Sequence, residues 1–214
     1  MKKFFRDNGL SLALVVLFLV FWLCQALTGL RVYNEDAIRH GDQATRLGAY
    51  LKSGHFWQAT AENWESEFLQ MGAYVLMTSF LFQRGSAESN DPDEPDKEPS
   101  AGHSWFYRYS LSLAFLALFL VSFSIHAVEG LRKLNAERSD HGEPAAKLGE
   151  YVGGAEFWFE SFQNWQSEFL AVLSIVVLTI FLRQQNSPES KKLSSPHSMT
   201  GEVTCHGRET DLHA

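Results

Sequence analysis

The feature that most limits what this chain can become is a gapless internal duplication. Sliding the sequence against itself so that Leu10 meets Leu111 and Ser89 meets Ser190 pairs residues 10–89 with residues 111–190. About 35 of those roughly 80 pairs are identical, more than shared hydrophobicity gives, and such a period means one structural unit built twice. Leu10-Ser11-Leu12-Ala13 matches Leu111-Ser112-Leu113-Ala114, and Gly29-Leu30-Arg31 matches Gly130-Leu131-Arg132. Asn34 pairs with Asn135, His40-Gly41 with His141-Gly142, Leu47-Gly48 with Leu148-Gly149, and Phe56-Trp57 with Phe157-Trp158. The strongest block is Asn63-Trp64-x-Ser66-Glu67-Phe68-Leu69 against Asn164-Trp165-x-Ser167-Glu168-Phe169-Leu170.

Each unit opens on a long apolar run. Residues 8–30 and 109–128 carry no charge, and about 20 apolar residues in a helix span roughly 30 Å of hydrocarbon. The first run is too long for a signal peptide and lacks a small-residue cleavage site, so it reads as a retained membrane helix. Each unit closes on a shorter run, residues 68–83 and 169–182, worth about 21–24 Å at 1.5 Å per residue. Aromatic residues extend both short runs upstream, as suits the membrane–water interface. The expectation is an all-α membrane protein with four transmembrane helices, arranged as two tandem parallel-repeat hairpins with amphipathic interfacial helices. The first hairpin takes residues 1–85, with crossings at 9–30 and 66–84. The second takes residues 105–185, with crossings at 107–129 and 167–184.

Between them, residues 86–104 form an acidic, proline-bearing linker expected to be disordered, as is the polar, Ser-rich tail 186–214. Lys and Arg near the helix ends slightly favour both termini on the cytoplasmic side.

Trp57, Ala61, Trp64 and Phe68 recur at four–three–four spacing, as do Trp158, Phe162, Trp165 and Phe169, which marks one helix face. Trp57, Trp64, Trp158 and Trp165 are expected to be interfacial anchors rather than a ligand cage. Asn63, Glu67 and Thr78 fall within about 60° of arc at 100° per residue, together with Tyr74. Asn164, Glu168 and Thr179 repeat that line. Facing lines would make a polar interior with paired carboxylates, a candidate cation or proton site, because ionisable groups in a bilayer face a bundle interior or water. The plainer reading is that Asn63, Ser66, Glu65 and Glu67 cap a helix and the threonines bond backbone or a neighbouring helix. Gln25 and His126 hold equivalent places near the end of the first helix of each unit and could bond across helices.

No phosphate-binding glycine loop, metalloprotease helix or paired-cysteine motif is present, and no Ser-His-Asp set can be placed together. His40 and His141 with two glutamates lack the close spacing of a metal site. Neither metal nor cofactor is expected, and Cys24 and Cys205 make no disulfide framework. A net charge of −7 without a basic stripe argues against nucleic acid as partner. The Asn-Trp-x-Ser-Glu-Phe-Leu block, the Phe-Trp before it and the Gly-Leu-x-x-x-Asn after the first helix resemble a family of small bacterial integral membrane proteins. That family is catalogued only as a domain of unknown function. The resemblance implies a multi-pass protein of the bacterial cytoplasmic membrane and supplies no activity. The expected role is non-enzymatic, structural or interacting, with lipid around it and a homo-oligomer or another membrane protein as partner. The alternative is a small ion or proton transporter along the Asn–Glu–Thr lines; a membrane-embedded enzyme lacks a nameable reactive group.

Overall fold

A computed structural model of the chain describes residues 2–93 and 102–201. The described residues form helices and no strand: α1 Lys2–Asp7, α2 Gly9–Arg39, α3 Leu47–Tyr50, α4 Gly54–Thr78, α5 Trp105–Arg108, α6 Ser110–Asp140, α7 Leu148–Val152 and α8 Ala155–Phe181. Three of these, α2, α6 and α8, are long and apolar enough to cross a membrane. Protein covers little of their most apolar stretches, 6% in α2, 17% in α6 and 11% in α8. Leu14, Phe21 and Leu23 on α2, and Leu120 and Val121 on α6, point outward. Bare surface of that extent is stable against lipid tails and not against water.

Both long first helices outrun the expected crossings, reaching Arg39 and Asp140 instead of residues 30 and 129. Charge ends the apolar run but not the helix, since Arg, Lys, Glu and Ala propagate helix well in water. The stop comes at the repeated His-Gly. Gly41 has φ 86 and Gly142 has φ 69, the left-handed geometry that glycine adopts without a side-chain clash. Gly41 N–H donates to Ile38 O and Asp42 N–H to Ala37 O, a Schellman ending. Gly142 to Ser139 and Glu143 to Arg138 repeat it. His40 and His141 thus terminate helices, each with Nδ1 on the carbonyl four residues back.

The chain then turns back along the helix it has left. Asn34 grips Thr45 through both backbone groups, at 2.9 and 2.7 Å, and Asn135 grips Ala146 the same way, at 3.2 and 2.7 Å. The stretch between the expected crossings of each copy is therefore largely helix and clamp.

By compactness the chain divides into two units: Met1–Glu62 with Phe123–Phe157, and Asn63–Ser122 with Trp158–Ala214. All three dividing points fall inside unbroken helices, α4, α6 and α8. In the first unit, Ala26, Tyr50 and Phe56 are buried with Trp22, Leu30, Tyr33, Leu47, Leu51 and Trp57 packed around them. A Cβ on Gly29 would run into the Tyr50 hydroxyl, and one on Gly130 into that of Tyr151. Each glycine thereby lets a tyrosine close on the helix.

In the second unit, α4 ends at Thr78 and α8 at Phe181, six and three residues before the expected ends of the crossings, which were residues 84 and 184. The segments that follow make matching turns. Gln83 N–H meets Ser89 Oγ at 2.8 Å, and Gln184 N–H meets Ser190 Oγ at 2.8 Å. The described parts of the linker and tail, expected to be disordered, are ordered here. Ser86 Oγ lies 3.0 Å from Thr179 Oγ1, Gly201 N–H donates to Ser86 O, and Gly85 N–H donates to Thr200 Oγ1. Lys191 is only 4% exposed and donates to the carbonyls of Gly85, Pro196, His197 and Met199. Serine and threonine read as disorder by composition, yet their hydroxyls satisfy turn backbone locally. Residues 94–101 and 202–214, parts of the expected linker and tail, lie outside the described residues.

Candidate functional site

The sequence nominated Asn63 and Glu67 on α4, and both are exposed. The Asn63 carbonyl accepts from Ser66 Oγ at 2.8 Å, and the Asn164 carbonyl accepts from Ser167 Oγ at 2.8 Å. Glu168 is half-buried, and the charge of Glu67 bears on it. Those two carboxylates are thus brought within electrostatic reach of each other. Thr78 back-bonds to Tyr74 O at 3.0 Å, whereas Thr179 is buried and holds Ser86. The Asn–Glu–Thr line does not form one continuous interior face on α4.

The buried polar positions of α4 are different ones: Gln58, Thr60, Glu65, Ser66 and Gln70. Within the second unit, Glu65 is 0% exposed and accepts from Trp165 Nε1 at 3.0 Å. A buried carboxylate on a helix of this kind is costly unless it is hydrogen-bonded or serves a function. Trp165 therefore uses its indole N–H on an interior acid. Its ring meets Trp158 edge-on with centroids 6.3 Å apart, and Phe162 at 5.4 Å. Trp57 also serves the interior, packing on Phe56 and donating to Leu51 O at 3.0 Å. Trp64 is half-buried.

In the first unit the polar groups sit where α2 and α6 meet the opening turns of α4. Gln25 Nε2 donates to Thr60 Oγ1 at 3.4 Å, the cross-helix bond expected of that position. Its counterpart His126 is 0% exposed and stacks on Phe157 with centroids 4.7 Å apart. A ring nitrogen of His126 and a carboxylate oxygen of Glu62 lie within 4.8 Å. An imidazole and a carboxylate so placed can share a proton or ligate a metal ion.

The sequence offered Glu65 only as a helix cap and gave no sign of Glu62: retention in both copies pointed to Glu67 and Glu168, whereas Gln163 and Gln166 replace Glu62 and Glu65. The usable signal was the spacing Gln58, Ala61, Glu65, which follows the buried face.

Against known proteins, a family model described as "Domain of unknown function (DUF6766)" matches residues 1–202. No curated protein and no solved structure matches the chain.

Proposed function

The chain belongs to that family of unknown function, and from this premise we propose a non-enzymatic integral membrane protein that handles protons or small cations through its buried acid. It crosses the bilayer four times, as two tandem copies of a hairpin, in the bacterial cytoplasmic membrane with both termini on the cytoplasmic side. Support for α4 as the fourth crossing comes from its length and from where its polarity sits. Its 25 residues extend about 37 Å, more than the roughly 30 Å of hydrocarbon. Gln58, Thr60, Glu65, Ser66 and Gln70 lower its hydropathy but are covered by protein, while Met71 and Leu76 face outward.

The observation that carries the functional reading is Glu65, fully buried on α4 with Trp165 as donor. Intramembrane acids that face a protein interior mark ion or proton routes more often than they serve packing. The test is flux into vesicles reconstituted with the full chain, driven by a pH or cation gradient. Glu65→Gln keeps an acceptor for Trp165 and removes the charge, so flux falls about tenfold or more while the melting temperature holds. Equal flux in both proteins, or none in the wild type, removes the transport reading and leaves a structural or interaction role.

A further inference from the structure

The matching turns that follow α4 and α8 bring two acids together, wholly within the second unit. Glu88 and Glu189 hold equivalent places in the two copies, each one residue before the serine that closes its turn. Glu88 N–H donates to Ser86 Oγ at 3.1 Å and Glu189 N–H to Ser187 Oγ at 3.2 Å, so the turns fix where both side chains start. The two carboxyl groups then meet in a hydrogen bond. Such a contact holds with a proton between the oxygens and turns repulsive when both groups ionise. Glu88 is half-buried and Glu189 exposed, so the proton can be exchanged with water.

The cations close by are committed elsewhere. Lys191 points its ammonium at backbone carbonyls, and Arg183 donates to the carbonyls of Thr179, Ile180, Leu182 and Ser195. Arg84 pairs with Asp93, and His197 Nδ1 lies on Ile180 O. Asp91, on the segment that carries Glu88, adds charge of the same sign as the pair. From α4, Tyr74 O–H donates to Glu88 Oε2 at 2.8 Å; Ile175 takes its place in the second copy. Burial holds the Glu88 carboxyl above its ordinary 4.5; the Tyr74 hydrogen bond pulls it down, and the charge and hydrogen bond of Glu189 push it up. The same two turns carry the seat of the carboxyl-terminal segment: Ser86 on Thr179, Thr200 on Gly85, Gly201 on Ser86, and Lys191 on Gly85. Whatever drives Glu189 from Glu88 therefore pulls on that seat.

We propose that Glu88 and Glu189 form a proton-operated latch, which seats residues 187–201 on the turn after α4 while the two share a proton and releases them when both are ionised. A carboxyl group that the fold holds above its ordinary value supports the fold while protonated. Its contribution is complete below 4.5 and is lost as pH rises through the elevated value of Glu88.

Amide hydrogen exchange on the full chain in detergent reads the seat directly, followed by mass spectrometry on the peptide 187–201 and corrected for the intrinsic pH dependence of exchange. Protection of that peptide falls by about tenfold or more as pH rises from 4.5 through the Glu88 transition. Glu88→Gln and Glu189→Gln each keep a hydrogen-bonding partner and remove the repulsion, so each leaves the segment protected throughout. Should Glu88→Gln fold poorly, Glu189→Gln, at an exposed position, carries the same expectation. Tyr74→Phe takes away the donor that favours the ionised acid, so the fall moves to higher pH, which loss of packing alone would not do. Wild-type protection that is flat with pH overturns the proposal, as does an undiminished fall in both glutamine variants. A Tyr74→Phe midpoint that stays in place or moves down assigns the titration to another group and overturns it too. Flux through Glu65 is a separate matter, since the latch is read on the segment itself whether or not the vesicles transport anything.

Discussion

Tyr50 and Tyr151 stand at matching places in the two sequence copies, each with its hydroxyl against a helix glycine, Gly29 or Gly130. Beyond that contact they diverge. Tyr50 Oη lies 3.1 Å from His55 Nδ1, whereas Tyr151 Oη accepts from Gln58 Nε2 at 3.5 Å. The same contrast recurs elsewhere. The Schellman stops, the asparagine clamps and the glycine–tyrosine contacts are duplicated bond for bond, while Gln25 and His126, or Glu65 and Gln166, are not. Backbone devices admit few solutions, so copies keep them; interior side chains are where one copy acquires chemistry that the other lacks.

The glycine–tyrosine contacts give the largest expected effect and the sharpest test of equivalence. Gly29→Ala and Gly130→Ala each push a methyl into a tyrosine hydroxyl and cost about 1–3 kcal/mol, read as a lower melting temperature in detergent. Tyr50→Phe restores part of the loss in the Gly29 variant and none in the Gly130 variant; cross-rescue would break the pairing.

The clamps come next. Asn34→Ala and Asn135→Ala each leave two backbone groups of the returning segment without their partner, at about 1–2 kcal/mol each. Faster amide exchange at Thr45 or Ala146, confined to the altered copy, is the expected reading. Gly41→Ala and Gly142→Ala follow, at about 1 kcal/mol, because a Cβ disfavours the left-handed φ. Helicity lost near Arg39 or Asp140 alone would confirm that the stop is local.

The smallest effect separates the copies by pH. Burial first, then the charge of Lys133, holds His55 below the ordinary imidazole value of 6.5, with Asp36 pulling the other way. A depressed imidazole supports the fold while neutral, so its contribution is complete above 6.5 and drains away as pH falls through that value toward the lowered one. Ring resonances of Tyr50 broaden on acidification while those of Tyr151 stay sharp, Glu156 occupying the place of His55 in the second copy. Equal broadening in both sinks the distinction.

Duplication, helix type and the apolar cores of α2, α6 and α8 were legible because they rest on periodicity and run length. The extension of α2 to Arg39 was not, since a hydropathy boundary marks where lipid ends and not where backbone bonding ends. The asparagine clamps were visible only as a matched pair of letters, because a contact eleven residues away leaves no local pattern. The buried acid on α4 was hidden for a different reason: retention across copies tracks shared architecture, and Glu65 is a position where the copies differ. The order around Lys191 was masked by composition, since a pair of lysines among serines reads as solvated until the carbonyl partners of one are known.

Those partners have a practical corollary. With its ammonium committed to the carbonyls of Gly85, Pro196, His197 and Met199, Lys191 is shielded from amine-acylating reagents. Its neighbour Lys192 is exposed and open to the same reagents. The ratio of the two acylation rates, read by mass spectrometry on one peptide, therefore reports in intact cells whether the carboxyl-terminal segment is seated or has come away.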